Sequence, residues 1–157
     1  MVKIKPENHT FVICAYKESP YLEECIRSLK NQSVRTNLRM ATSTDNGHIR
    51  ALAEKYGIPL DINPGPGGIT QDWNFAYSRA GTPLITLAHQ DDVYCRDYAK
   101  EILACAARAK RPLILFSDYG EIRNGARVRE NMLLKIKRMM LIPLEFGALS
   151  GSRFVRR

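Results

Sequence analysis

The chain has 157 residues, 45% of them apolar and 25% charged, which is enough for one globular domain with a sizeable core over residues 1–157. It contains no apolar run long enough to span a bilayer and no N-terminal signal-peptide segment, so we expect a cytoplasmic protein. Its four cysteines are scattered without a Cys-x-x-Cys pair, so they are expected to be buried free thiols rather than a disulfide framework or a structural zinc site. The net charge of +8 favours phosphates, nucleic acid or anionic lipid as partners, but it identifies no reaction.

Short apolar runs alternate with segments of helical periodicity along most of the chain. The apolar runs predict five strands, at residues 10–15, 38–42, 60–62, 84–88 and 112–116. Helices are predicted after the first four strands, beginning near Ser19, near Asp45, at residue 70 and at residue 97. This alternation predicts an α/β fold in three layers, α/β/α, around a mostly parallel, Rossmann-like sheet.

Other local patterns predict further features of the chain. Trp73 and Tyr77 lie on the apolar stripe of the third predicted helix, which indicates a core position, whereas His9 and His48 are expected at the surface or at helix caps. An Asn-Gly pair at residues 124–125 predicts a β-hairpin. Residues 131–140 combine apolar residues at helical spacing with cations. This short helix is expected to pack on the domain, with peripheral contact to anionic lipid as the alternative.

Two adjacent carboxylates, Asp91 and Asp92, follow the predicted strand at residues 84–88, with His89 immediately before Gln90. Two neighbouring ionised carboxylates repel each other, so a divalent metal, Mn²⁺ or Mg²⁺, is expected there. The alternative is that one of the two caps the next helix. Polar or glycine-rich segments follow the other strands as well, and Gly67 and Gly68 would permit a phosphate to approach the backbone closely.

Two familiar nucleotide motifs are missing from the sequence. No Gly-x-Gly-x-x-Gly follows the first strand, and no Gly-x-x-x-x-Gly-Lys-Ser/Thr occurs. Dinucleotide-dependent hydride transfer and P-loop ATP hydrolysis are therefore disfavoured.

Several segments resemble the family 2 glycosyltransferases, which have the GT-A, nucleotide-diphospho-sugar transferase fold. The similarity extends over residues 10–128 and is carried by FVICAYKESP at residues 11–20, LEECIRSLKNQS at 22–33, WNFA at 73–76, AGTPLI at 80–85 and the Asp pair. The resemblance implies transfer of a sugar from a nucleotide diphosphate sugar to a glycan or lipid-linked acceptor, assisted by a divalent metal.

The resemblance also implies roles for individual residues. In the family, the turn after the first strand holds the base and ribose, and the Asp-x-Asp segment holds the metal. By position, the nucleotide-binding residues would be Ala15, Tyr16, Glu18, Asp45, Asn74 and Asp91, and the metal-linked residues would be Asp91, Asp92 and His89. The chain departs from the family in having His89 at the usual first Asp, Lys17 in place of Asn, and Thr42-Ser43 in place of an acidic pair.

No residue matches the carboxylate with which the family activates the acceptor hydroxyl. Asp118 and Glu121 are the later carboxylates near a predicted strand end, and Asp118 is the weak candidate for this base. We therefore expect a donor-binding portion that is truncated and transfers sugar slowly or not at all. The alternatives are another nucleotide-sugar enzyme, such as a nucleotidyltransferase, or a non-catalytic basic domain that binds nucleic acid, although no nucleic acid is expected as a partner.

Overall fold

A computed structural model describes residues 4–109, 114, 115, 117, 119–123, 126–128, 132, 135, 136 and 139 of the chain. Its internal contacts divide it into two compact units, Ile4–Lys100 and the remainder, Met1–Lys3 with Glu101–Arg157. The expectation of one domain over residues 1–157 stays a prediction. In the part of the chain that is described, no helix has both the length and the apolar character needed to cross a bilayer.

The first unit is built on a sheet of four parallel strands in the order β3-β2-β1-β4. A short 3₁₀ turn, Pro6–Asn8, leads into β1, His9–Ala15, and the other strands are β2, Asn37–Thr42, β3, Leu60–Ile62, and β4, Leu84–His89. In register, Ala15 lies opposite Thr42, Thr42 opposite Ile62 and Cys14 opposite His89. The four strands consequently end at the same edge of the sheet, as predicted for parallel strands.

Four helices connect or follow the strands: α1, Leu22–Lys30, α2, Gly47–Lys55, α3, Ile69–Arg79, and α4, Tyr98–Arg108. Local capping explains several of their ends. The Asn46 side chain accepts a hydrogen bond from the amide of Ile49 at the start of α2, and Gly57, with φ +58°, follows its end. The Ser19 hydroxyl accepts a hydrogen bond from the amide of Tyr21, so it supports the turn that precedes α1.

Alternate residues of the strands face two different apolar clusters, which gives the predicted three layers. Phe11, Ile13 and Ala15 of β1 pack with the buried faces of α1 and α2 and with Ala99 at the start of α4. Val12, also on β1, packs on the opposite face with Ala76 and Ala80 of the α3 segment. The sheet therefore lies between α1, α2 and the start of α4 on one side and α3 on the other.

Three local expectations are wrong. His9 is the C-cap of the 3₁₀ turn, but it is fully buried rather than at the surface, because it is also the first residue of the central strand β1 and its ring contacts Phe11 edge-on. Trp73 and Tyr77 are 37% and 64% exposed rather than in the core, because α3 packs on the sheet through the small residues Ala76 and Ala80. Cys95 is an exposed free thiol, whereas Cys25 and Cys105 are buried free thiols as expected.

The second unit contains the predicted hairpin, formed by β5, Glu121–Arg123, and β6, Ala126–Val128, which pair antiparallel. The fifth predicted strand falls mainly outside the described residues, and its described residues Ile114 and Leu115 are in neither a helix nor a strand. Of the predicted tail helix, residues 132, 135, 136 and 139 are described and are helical.

Candidate functional site

Between β1 and β4, the direction in which successive strands are added to the sheet reverses. The chain runs outward from β1 through β2 to β3 and then returns to add β4 on the other side of β1. In open parallel sheets, ligands bind outside the carboxyl ends of the strands at such a switch point. The segments at this position are residues 16–19 after β1 and residues 90–94 after β4, and we call the space between them the switch-point crevice.

Hydrogen bonds join the two segments directly. The side-chain amide of Gln90 accepts from the Tyr16 backbone N–H at 2.9 Å and donates to the Tyr16 carbonyl oxygen at 3.0 Å. On the other side of the turn, the Thr44 hydroxyl accepts from the Lys17 N–H at 2.5 Å. Lys17 has φ +53°, the only positive φ at a described residue other than glycine. The turn after β1 is thus held by its neighbours in a strained backbone conformation.

The Asp pair belongs to the segment after β4, and both residues are exposed. Partial removal of water raises the pKa of Asp92 above its ordinary value; the charge of His89 lowers it and the charge of Asp91 raises it. Behind the pair, the Cys25 thiol donates to the His89 carbonyl oxygen at 3.2 Å, and burial raises the pKa of this thiol to about 12. The His89 ring contacts Trp73 of α3 edge-on, with centroids 5.0 Å apart.

The protein side chains at this position could supply only some of the ligands that a metal ion needs. Among the described residues, no group of three or more His, Cys, Asp and Glu side chains could hold a metal ion. Mg²⁺ and Mn²⁺ favour carboxylate and phosphate oxygens, and Mg²⁺ is commonly held by one or two carboxylates together with substrate phosphates and water. Asp91 and Asp92 fit this kind of site, in which the ligand completes the coordination. The metal assignment of His89, Asp91 and Asp92 stays a prediction.

The glycine-rich loop at residues 63–68 is held by Asp72, in the first turn of α3. The Asp72 carboxylate accepts hydrogen bonds from Ser43 Oγ at 2.9 Å, Asn63 Nδ2 at 3.2 Å and the Gly68 N–H at 3.3 Å. A Cβ on Gly67 would lie 3.1 Å from Ser43 Oγ, and Gly68 has φ +141°. The two glycines therefore have a role in internal packing, and their predicted role toward phosphate stays a prediction.

Four of the other predicted nucleotide-binding residues end or follow a strand at this edge of the sheet: Ala15, Tyr16, Glu18 and Asp45. Tyr16 is 46% exposed and Glu18 is exposed beside it, whereas Ala15 is buried with its side chain in the core. Asp45 pairs with Arg50, since Oδ2 lies 2.5 Å from Nη2. Asn74 is exposed on α3. The candidate base Asp118 lies outside the described residues.

Sequence reasoning missed three residues that organise the crevice: Gln90, Thr44 and Asp72. Each of them contacts a residue that is distant in sequence, with separations of 27 to 74 positions. Gln90 stood inside the His-Gln-Asp-Asp segment already singled out, but its partner, the backbone of Tyr16, cannot be read from a linear pattern. Asp72 could have been noticed as an acidic residue in the first turn of a helix after glycines, where it favours the helix dipole.

A parallel α/β sheet with exposed carboxylates, an exposed aromatic ring and a glycine-rich loop at its switch-point edge is typical of nucleotide-binding α/β domains. The chain belongs to glycosyl transferase family 2, whose family model matches residues 10–156. The fold is accordingly of the GT-A type, as the resemblance to this family implied.

Solved glycosyltransferase structures are similar in fold. One is S. aureus TarS, with 18% identity and a TM-score of 0.53 over 62% of this chain and 19% of that chain. Another is the mannosyltransferase PcManGT from Pyrobaculum calidifontis, solved with GDP-Man and Mn²⁺, with 13% identity and a TM-score of 0.55 over 71% of this chain and 36% of that chain. The chain thus spans about a fifth and about a third of these proteins. No curated protein matches its sequence.

Proposed function

We propose that the switch-point crevice binds a nucleotide diphosphate sugar and that the chain takes part in transfer of its sugar. The observation that carries this proposal is the joined pair of segments at the carboxyl ends of β1 and β4, which brings the Tyr16 turn beside the Asp91-Asp92 pair. Membership of glycosyl transferase family 2 supports it. PcManGT, solved with GDP-Man and Mn²⁺, supports a nucleotide sugar as donor.

Each group at the crevice has a role that suits its chemistry. The exposed Tyr16 ring offers a flat apolar surface for the nucleobase, and Glu18 offers a hydrogen-bond acceptor for base or ribose. Lys17 lies on the same turn, and its ammonium group is 5.1 Å from the centroid of the Tyr16 ring. These residues bind the nucleoside end of the donor.

The diphosphate belongs beside Asp91 and Asp92. Two carboxylates would repel an anionic diphosphate, so we infer that Asp91 and Asp92 would hold a divalent cation, Mn²⁺ or Mg²⁺. When bound, such a cation stabilises negative charge on a departing diphosphate. Asp91, the match to the family's metal-linked Asp, would be the principal ligand, and Asp92 would contribute less.

The acceptor would be a glycan or a lipid-linked sugar, whose hydroxyl attacks the anomeric carbon while the nucleoside diphosphate leaves. The hydroxyl proton must pass to a base. Asp118 is the first candidate for this base, and substitution to Asn is the direct test of it.

Thermal unfolding with a panel of nucleoside diphosphates tests donor binding. UDP, GDP, ADP and CDP are each added with and without Mn²⁺, and the midpoint is measured. A ligand at about 100 times its Kd stabilises the native state by about 2.7 kcal/mol. For a chain of this size, that corresponds to a rise of about 5 °C or more.

We expect one or two of the nucleotides to raise the midpoint and to require Mn²⁺ for the full effect. Inorganic phosphate with Mn²⁺ is the control for unspecific anion binding. Absence of any nucleotide-dependent rise, at concentrations up to several millimolar, would contradict the proposal.

A further inference from the structure

The most specific contact at the crevice is made by Gln90, a residue to which the proposed function assigns no role. Its side-chain amide makes two hydrogen bonds to one residue, accepting from the Tyr16 N–H at 2.9 Å and donating to the Tyr16 carbonyl at 3.0 Å. The backbone N–H and the carbonyl oxygen of Tyr16 are therefore both bound by one side chain, which comes from the segment after β4. A primary amide can donate and accept at once, and neither a carboxylate nor an apolar side chain can do both.

The turn that Gln90 holds is strained. Lys17, the next residue, has φ +53°, a region in which a residue with a Cβ is disfavoured by about 1–2 kcal/mol. Its N–H is bound by the Thr44 hydroxyl from the segment after β2. Such strain persists where surrounding contacts impose the conformation, and here two side chains from two neighbouring segments do so.

Gln90 is also adjacent in sequence to Asp91. One end of this short segment holds the backbone of the Tyr16 turn, and the other end carries the exposed carboxylates. The separation between the nucleoside-binding turn and the Asp pair is thereby set by the Gln90 side chain and by the pairing of β1 with β4.

We propose that Gln90 is a positioning residue for the nucleoside, fixing the Tyr16 turn at a set distance from the Asp91-Asp92 pair. This inference rests on the proposed function, because it assigns the turn to the nucleoside and the Asp pair to the diphosphate. Gln90 contributes to recognition through Tyr16 and makes no contact with the ligand. Its loss would weaken binding of the nucleoside and leave binding of the diphosphate intact.

The test compares a nucleoside diphosphate with inorganic pyrophosphate, both with Mn²⁺, by calorimetry. The two probes share the diphosphate, so the ratio of their affinities measures the nucleoside's contribution within one protein variant. The variants are Gln90→Met, which removes both hydrogen bonds at nearly constant volume, and Gln90→Glu, which can accept from Tyr16 but not donate. Gln32→Met is the matched control. Gln32 also bridges backbone groups, Ser28 O, Cys95 O and Ala99 N, and lies outside the crevice.

We expect Gln90→Met to lower the ratio about three- to tenfold, with pyrophosphate affinity within about twofold of the unsubstituted protein. Gln90→Glu should keep the Tyr16 amide protected from hydrogen exchange and still lower the ratio. Gln32→Met should lower the unfolding midpoint and leave the ratio unchanged. If Gln90→Met does not fold, the ratio in Gln90→Glu decides.

An unchanged ratio in the folded Gln90 variants would overturn the inference and leave the proposed function standing. Equal weakening of both probes would also overturn it, since Gln90 would then act on the Asp pair or on the fold. If the unsubstituted protein binds neither probe, the proposed function itself fails, and this inference fails with it.

Discussion

Asp91 and Asp92 show how adjacent charges indicate a site that neither residue would indicate alone. Both are exposed, and the charge of Asp91 contributes to raising the pKa of Asp92, together with the loss of water around it. A cation between them would relieve this repulsion. The alternative role, a cap on the next helix, is wrong, because α4 begins at Tyr98, several residues beyond the pair.

The first prediction concerns Asp91. Asp91→Asn should weaken Mn²⁺-dependent nucleoside diphosphate binding at least about tenfold, because the amide is neutral and a poorer ligand for a hard cation. Asp92→Asn should have a smaller effect. The measurement is calorimetric titration of the nucleotide at fixed Mn²⁺.

Glu54→Gln is the matched control for Asp91→Asn, since it makes the same change in net charge at an exposed position on α2. It should leave the nucleotide affinity unchanged. If Asp91→Asn stays folded and binds as tightly as the control, the metal assignment is wrong.

His9 is a buried titratable residue at the start of the inner strand β1. Its two ring nitrogens lie 3.0 Å from Thr36 Oγ1 and 2.8 Å from Thr86 Oγ1, so the neutral ring is satisfied by hydroxyl groups. Burial lowers the pKa of His9 from 6.5 to about 4. Neither hydroxyl group carries a charge that would compensate a protonated ring.

The second prediction follows from this pKa. Between pH 6.5 and about 4 the unfolded chain binds a proton at His9 and the folded chain does not. The free energy of unfolding therefore has its full value above pH 6.5 and decreases as the pH is lowered from 6.5 to about 4. The difference in pKa corresponds to a loss of about 3 kcal/mol by pH 4. Urea unfolding at a series of pH values measures it.

His9→Gln removes the titration and retains hydrogen-bonding capacity, so its stability should vary less with pH over this range. Equal pH dependence in His9→Gln and the unsubstituted protein would show that His9 does not account for acid sensitivity.

At the level of elements, Asp72 connects α3 with the segments after β2 and β3. The third prediction is that Asp72→Ala lowers stability by about 1–3 kcal/mol, because Ser43, Asn63 and the Gly68 amide lose one shared acceptor. Thr70→Ala, at an exposed position on the same helix, should change stability by less than about 0.5 kcal/mol. Urea unfolding of both variants provides the comparison, and equal stabilities would contradict this role of Asp72.

Gly68 is the residue at which the loop enters α3, and its φ of +141° belongs to a region that L-residues rarely adopt. A Cβ there would also lie 2.6 Å from Gln71 Oε1, although that flexible side chain could move. The fourth prediction is that Gly68→Ala lowers the free energy of unfolding by about 1–3 kcal/mol, chiefly through backbone strain.

Gly47→Ala is the matched substitution for Gly68→Ala. Gly47 is the first residue of α2, and a Cβ there would meet no atom within 4 Å. The Gly47→Ala substitution should leave the free energy of unfolding unchanged or raise it by up to about 1 kcal/mol. A Gly68→Ala protein as stable as Gly47→Ala would show that this loop tolerates other backbone conformations.

For the whole molecule, the net charge of +8 attracts nucleic acid without making it a specific partner. The fifth prediction is that a short DNA duplex binds weakly and loses affinity by orders of magnitude between about 50 and 200 mM salt, as expected for unspecific phosphate contacts. The preferred nucleoside diphosphate with Mn²⁺ should lose far less over that range. Fluorescence anisotropy and calorimetry measure the two. If the duplex binds tightly at about 200 mM salt and the protein shows no preference among the nucleoside diphosphates, a nucleic-acid-binding domain is the better interpretation.

The sequence by itself determined the elements of the first unit and their class. Apolar runs and helical periodicity predicted β1 to β4 and α1 to α4 to within about two or three residues at most ends, because burial on a strand or a helix face imposes a local repeat. The motifs after β1 and β4 also indicated the family, since those residues are local to one turn each.

Only the tertiary structure decided which side chains meet. His9 is buried because β1 is central in the sheet, and Trp73 is partly exposed because α3 contacts the sheet through alanines. The bridge from Gln90 to Tyr16 joins residues 74 positions apart. Strand order and helix placement result from the packing of the whole chain, so no periodicity in the sequence reports them.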